Sequence, residues 1–151
     1  MVDVPVLMTH AMLGLLVMLA SLWVFAEALN VSQSNLARIR VVSLLAAVAM
    51  WVCFIVAGHW YVDHYAPEKA LILKGPWPFA HEFYMETKEH IILMLLLLVT
   101  FLPIVAWNDL VGNRGIRNLF LAVAGLSVII AVIVEGSGAI ISMGSKLAAL
   151  P

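Results

Sequence analysis

The stretch ILMLLLLVTFLPIVAW, residues 92–107, contains no charged side chain and decides the fold class of this chain. It follows directly on HEFYMETKEHI, residues 81–91, which holds two histidines and three glutamates. A helix of about 20 apolar residues crosses the roughly 30 Å of hydrocarbon in a bilayer. The junction therefore predicts a membrane-spanning helix with titratable groups gathered at one of its ends.

The composition extends this prediction to the whole chain. Of its 151 residues, 64% are hydrophobic and 11% are charged, against about 25% charged residues in soluble domains. Four apolar stretches reach the length of a membrane span, at about 5–29, 41–62, 90–108 and 118–141. We therefore expect an all-α fold over residues 1–151, a single transmembrane four-helix up-down bundle with an outer loop at 63–89.

Several classes of protein are excluded by what the sequence lacks. The N-terminal stretch has neither the basic region nor the cleavage site of a signal peptide, so we expect the first helix to remain in the mature protein. Cys53 is the only cysteine, which excludes an intramolecular disulfide and a CxxC redox pair. The net charge of −1 offers no basis for binding nucleic acid.

The links between the spans predict the orientation. The first and third links are short, which favours hairpins between antiparallel helices. Four arginines lie on the side of the short links and four lysines on the other: Arg38, Arg40, Arg114 and Arg117; Lys69, Lys74, Lys88 and Lys146. Only Asp109 opposes these arginines, whereas five acids lie between Asp63 and Glu89. We therefore expect cytoplasmic short links, both termini on the outer side, and a bacterial inner-membrane protein with its site on the periplasmic face.

The start of the third helix is marked by proline. Pro78 suits the first position of a helix, where its missing N–H is not needed. A helix from Pro78 to Trp107 is about 45 Å long at 1.5 Å per residue. Such a helix stands clear of the bilayer on the outer side.

One titratable side chain from each helix is expected at a similar depth near the outer end: His10, His59, His90 and Glu135. Ionisable groups in membrane spans cost about 2.5–3.5 kcal/mol on insertion scales and usually face the interior at a functional site. Three further residues complete the predicted site. Gly14 leaves space one turn below His10, Met94 lies one turn below His90, and Glu86 lies one turn above His90, where it can accept a ring N–H.

These residues predict a b-type haem held by two of the three histidines His10, His59 and His90. Bis-histidine ligation needs two imidazoles on facing helices and small residues that admit the macrocycle. Two ligand pairs are possible, either His10 with His90 or His59 with His90. The number of haems is one or two. Covalent attachment as in c-type cytochromes is excluded, because C-x-x-C-H is absent.

A non-haem centre of iron, copper or zinc is the first alternative. The stretch 81–90 offers His81, Glu82, Glu86, Glu89 and His90, and Glu135 can join them from the fourth helix. Di-iron bundles use Glu-x-x-His, which this chain lacks. A mononuclear site drawn from His59, Asp63 and His64 stays open.

Ordinary structural roles also account for several of these groups. His64, His81, Glu82 and Glu89 fit a solvated helical face, and Glu27 fits a side chain that reaches the interface from within the membrane. The aromatic residues fit two interfacial belts. One belt holds Trp60, Tyr61, Tyr65 and Trp77, and the other holds Trp23 and Trp107.

The early histidine of helix 1, GHWY at residues 58–61 and KEHI at residues 88–91 together resemble the small transmembrane b-type cytochromes. The resemblance lies in the architecture of the bundle and implies electron transfer, commonly to or from a quinone. It further implies a subunit that passes electrons between the quinone pool and a periplasmic or membrane partner, or an oxidoreductase if the chain is itself an enzyme. The acidic stretch from Asp63 to Glu89 suits a basic partner. A cofactor-free accessory subunit of a larger membrane complex is the second alternative. We expect the chain to be a subunit of a larger complex or a homo-oligomer.

Overall fold

The computed structural model describes residues 4–150, which form four α-helices and one π-helical segment. Helix α1 spans Val4–Leu29 and α2 spans Leu36–Lys74. The π segment, Ala80–Met85, runs directly into α3, Glu86–Ala106, and α4 spans Arg114–Ala148. The predicted all-helical fold is confirmed for this part of the chain.

All four helices are long and apolar enough to cross a membrane, with mean hydropathies of 2.1 to 2.5 in their most apolar windows. Large apolar side chains such as Leu97, Ile55 and Ile129 are exposed on the outer surface of the bundle. Water does not favour so much exposed apolar surface, whereas lipid does. The fold therefore indicates an integral membrane protein.

The predicted loop at 63–89 is wrong, because most of it is helical. Helix α2 continues to Lys74, and its 39 residues make it about 58 Å long. Pro67 lies inside this helix and removes one backbone hydrogen bond. Burial of Tyr65 and Ile72 against the π segment and α4 offsets that loss. Only the short Gly75 link, residues 75–79, separates the two helices, and the predicted long third helix is confirmed over Ala80–Ala106.

The helices pack as a ring. Helix α1 lies against α2 and α4, α3 lies against the same two helices, and the π segment packs on α4. Helix α1 meets α2 at two places, with His10 beside Cys53 and Glu27 beside Arg38. Arg40 of α2 donates to the carbonyl of Ala106 at the end of α3, 3.0 Å away. The ends of α1 and α3 therefore both lie beside the start of α2, and the Gly75 link follows the other end of α2, which we call the Gly75 end.

Three apolar clusters follow one another along the bundle. The short-link cluster contains Val24, Ile39, Leu102, Leu110 and Phe120. The middle cluster contains Val17, Met50, Leu95, Val99 and Val134. The Gly75-end cluster contains Trp60, Tyr65, Ile72, Ala80, Met85 and Ile141. Polar side chains occupy the two levels between these clusters. The clusters on either side fix the depth of these polar levels in the bundle.

Candidate functional site

A thiol–imidazole contact joins α1 to α2 inside the bundle. The Cys53 Sγ lies 3.2 Å from His10 Nδ1 and 3.6 Å from the His10 carbonyl oxygen. Cys53 is buried and His10 is half-buried. His10 thus faces the interior, as the sequence predicted, but its partner is a cysteine.

Glu135 of α4 enters the same interior against α1. A Cβ built at Gly14 would overlap the Glu135 carboxylate, so the carboxylate occupies the space that a side chain at Gly14 would fill. Glu135 is half-buried and Gly14 is buried. The space predicted at Gly14 is real, and it holds a carboxylate.

Lys88 of α3 completes this level. Its Nζ lies 3.0 Å from the position that a Cβ at Gly138 of α4 would take. Its charge interacts electrostatically with Glu135, Cys53 and His10. Lys88 was counted among the outer charges in the sequence, yet it points into the bundle on the face that also carries Met85 and Leu95.

The polar layer consists of these four residues, one from each helix: His10, Cys53, Lys88 and Glu135. Along its helix, each of them lies between residues that pack in the Gly75-end cluster and residues of the middle cluster. The layer contains an acid, a base, an imidazole and a thiol within one apolar bundle. Groups of these types exchange protons with one another and with water, which is the chemistry that the layer offers.

A second polar level, the hydroxyl layer, lies between the middle and short-link clusters. It contains Ser21, Ser43 and Ser127, all fully buried. Ser127 donates to the Val123 carbonyl at 2.8 Å. Among the described residues, the Ser21 and Ser43 hydroxyls have no hydrogen-bond partner. Buried hydroxyls of this kind are usually satisfied by ordered water.

A third polar group lies at the Gly75 end, where Tyr65 of α2 meets the π segment. The Tyr65 hydroxyl is 2.9 Å from His81 Nδ1, and His81 Nε2 is 3.5 Å from Glu86 Oε1. Tyr65 and His81 are 2% and 4% exposed, whereas Glu86 is exposed. A chain of polar groups therefore leads from the surface into the bundle.

The other predicted haem residues lie outside the interior. His59 is exposed and pairs with Asp63 one turn along α2, Nδ1 to Oδ2, at 2.9 Å. His90 is exposed, and its Nδ1 is bonded to the Glu86 backbone carbonyl. Met94 is also exposed, and the Glu86 side chain contacts His81 instead of His90.

A bis-histidine haem does not fit the interior of one chain. Of the three predicted ligands, only His10 faces inward, whereas His59 and His90 are exposed. Within residues 4–150, no group of three or more His, Cys, Asp and Glu side chains is placed to hold a metal ion. The predicted site residues therefore fall into two groups. His10, Gly14 and Glu135 lie in the interior, and His59, His90 and Met94 are exposed.

Several residues assigned to a solvated face or an aromatic belt have other positions. His81, Trp60 and Tyr65 are buried, and the side chains of His64 and Glu89 each contain a buried polar atom. Glu82 is exposed, as predicted. Glu27 accepts two hydrogen bonds from Arg38, at 2.7 and 2.9 Å, in place of reaching the interface alone.

Sequence reasoning missed Lys88 and Cys53 as members of the site. The i, i+3, i+7 spacing of Met85, Lys88 and Ile92 was a signal for Lys88. That signal is weak, because residues 91–107 are apolar on every side and do not mark the inward face. Cys53 had no such signal, since nothing in the sequence links it to His10.

No family model, curated protein or solved structure matches this chain. The resemblance to b-type cytochromes therefore stays a prediction.

Proposed function

We propose that this chain takes up protons at its outer end and holds them inside the membrane, as a subunit of an electron-transfer complex. It is a four-helix up-down bundle in the bacterial inner membrane, with both termini and the Gly75 end on the periplasmic side. The complex exchanges electrons between the quinone pool and a periplasmic or membrane partner. The proposal joins the role expected from the sequence to the polar layer of the fold.

The observation that carries the proposal is the polar layer itself. Four helices each bring one titratable or thiol side chain to one level of an otherwise apolar bundle. Replacing buried charges by apolar residues is often neutral or stabilising, by about 1–4 kcal/mol. A charged layer is therefore a poor device for stability, and intramembrane acids, bases and imidazoles commonly serve as proton relays.

The Gly75 end supports a route for the protons. Glu86 is exposed, and His81 and Tyr65 follow it into the Gly75-end cluster, which adjoins the polar layer. The middle cluster, with Val17, Met50 and Val99, then separates the polar layer from the hydroxyl layer. This apolar level favours proton exchange with one side of the membrane over proton conduction across the membrane.

We place the electron-carrying cofactor in a neighbouring subunit, because the interior of this chain does not fit a haem held by two histidines. A visible spectrum of the purified chain tests this placement. Absence of reduced haem bands and of bound metal agrees with it. Haem bands that disappear in His10→Ala would contradict it and restore the haem assignment.

Infrared difference spectroscopy of the reconstituted full chain tests the proton role directly. A change of external pH should give a carboxyl C=O band from Glu135, which Glu135→Gln removes and Lys88→Met shifts. Glu82→Gln is the matched control, because Glu82 is an exposed glutamate near the same end. An identical difference spectrum in wild type and Glu135→Gln would show that Glu135 does not exchange protons.

A further inference from the structure

The contact between Tyr65 and His81 has a defined direction. Glu86 Oε1 lies on the Nε2 side of His81, at 3.5 Å, and favours the tautomer that carries its proton on Nε2. His81 Nδ1 is then a bare acceptor. Tyr65 therefore donates its hydroxyl proton to Nδ1 across the 2.9 Å hydrogen bond.

This arrangement differs from an ordinary buried tyrosine, which needs only a hydrogen-bond acceptor. Tyr65 faces a base whose other nitrogen lies 3.5 Å from a carboxylate oxygen, the same order of groups that activates hydroxyl nucleophiles in hydrolases. The hydroxyl and the imidazole are both buried, so water does not compete for either. The phenol proton thus has a prepared acceptor within hydrogen-bond distance.

We propose that Tyr65 is a redox-active tyrosine whose proton passes to His81 when the ring loses one electron. The O–H bond of Tyr65 breaks, a new N–H bond forms at His81 Nδ1, and a neutral tyrosyl radical remains. The electron reduces a one-electron oxidant, an oxidised metal centre in a neighbouring subunit. The Glu86 carboxylate stabilises the imidazolium that forms, and reduction of the radical returns the proton along the same bond.

The aromatic neighbours of Tyr65 provide an exit for the electron. Tyr61 stacks on Tyr65 with ring centroids 5.1 Å apart and planes inclined by 22°. Tyr61 is exposed on the surface of the bundle, whereas Trp60, at 5.8 Å on another side of Tyr65, is buried. An oxidant seated against the Tyr61 face is thus one stacked ring away from Tyr65.

The π segment is the device that sets this geometry. Short π-helical turns are rare and occur often at functional sites. Here the π-helix carries His81, and Ala80 packs so closely on α4 that a Cβ at Gly144 would come within 2.7 Å of the Ala80 Cβ. The imidazole is therefore held on a short, tightly packed element.

The chain offers two matched controls, because it has three tyrosines. Tyr61 stacks on Tyr65, but the groups that interact with its hydroxyl include the carboxylates of Glu89 and Glu86. Tyr84 is half-buried and lies in the aromatic group with Phe79 and Phe83. Within residues 4–150, the hydrogen bond between a tyrosine hydroxyl and a buried histidine is that of Tyr65.

The test is flash oxidation of the full chain in vesicles by photogenerated tris(bipyridine)ruthenium(III), followed by electron paramagnetic resonance. We expect a tyrosyl radical in wild type, Tyr61→Phe and Tyr84→Phe, and its loss in Tyr65→Phe. The glutamine in His81→Gln can still accept a hydrogen bond from Tyr65 but cannot take up its proton. This variant should slow radical formation at least tenfold and change the solvent isotope effect. Helical content measured by circular dichroism checks that each variant folds.

Three results would overturn the proposal. The first is a tyrosyl radical of unchanged yield in Tyr65→Phe, and the second is a tryptophan radical alone in the wild type. The third is an unchanged rate and isotope effect in His81→Gln, which would make the histidine a packing contact only. Because the experiment does not involve Glu135, its failure leaves the proposed proton uptake standing, and the reverse also holds.

Discussion

At the residue scale, two glycines serve this protein by lacking a side chain. None of the glycines in residues 4–150 has a positive φ, so none is needed there for backbone conformation. Gly14 makes room for the Glu135 carboxylate and Gly138 makes room for the Lys88 ammonium. The two charged side chains therefore depend on glycines of the helices that they face.

Gly14→Ala should destabilise the fold by about 1–3 kcal/mol, because the new Cβ overlaps the Glu135 carboxylate and forces it to move. The free energy of unfolding in a denaturing detergent titration measures this change. The same experiment should show the loss of the Glu135 infrared band or a shift of its position.

Gly58→Ala is the control, since a Cβ at Gly58 meets nothing within 4 Å. It should be neutral or stabilising by up to about 1 kcal/mol through helix propensity. In a Glu135→Ala background the cost of Gly14→Ala should largely vanish. An equal cost in both backgrounds would mean that the carboxylate does not occupy this space.

At the element scale, the π segment connects the surface to the interior of the bundle. It begins after the short Gly75 link and turns His81 toward Tyr65. Its close contact with α4 depends on small residues on both sides, Ala80 and Gly144.

Gly144→Ala should push the π segment away from α4 and destabilise the chain by about 1–3 kcal/mol. Ala80→Gly in the same chain removes the opposing methyl group and should restore most of the stability. Gly125→Ala is the control, because its Cβ meets only ordinary contact with Phe25 at 3.4 Å. Thermal unfolding followed by circular dichroism gives the comparison, and no rescue by Ala80→Gly would contradict the packing described.

At the scale of the whole molecule, apolar and polar levels alternate along the bundle. The short-link, middle and Gly75-end clusters hold the helices together by packing. Lipid surrounds the bundle, so burial from water contributes little between helices, and close packing and polar contacts matter more. Under the proposed function, the polar layer is the level where proton uptake and stability oppose each other.

Lys88→Met and Glu135→Gln should each destabilise the bundle by about 1–3 kcal/mol, because each leaves the other charge without its opposite. The double variant removes both charges and should be more stable than either single variant. Detergent unfolding of the four proteins forms the double-mutant cycle. Additive losses would show that the two charges do not interact.

Much of the fold was predictable from the sequence, and part of the site was. Hydropathy identified four helices, and the depth argument placed His10, His59, His90 and Glu135 at one level. The structure turns only His10 and Glu135 of these four toward the interior. The loop at 63–89 was mispredicted because Pro67 and the charges around it are typical of a break. The packing of Tyr65 and Ile72, which is not visible in the sequence, keeps this segment helical.

The sequence by itself determined that the chain is helical and suited to a membrane, because length and hydropathy depend on composition alone. Only the tertiary structure decided which titratable groups face inward. A helix that is apolar on every side has no polar face to mark its orientation, so His90 and Lys88 were equal candidates in the sequence. Packing against α2 and α4 turned Lys88 inward and His90 outward, so the polar layer that faces the interior differs from the set of predicted haem ligands.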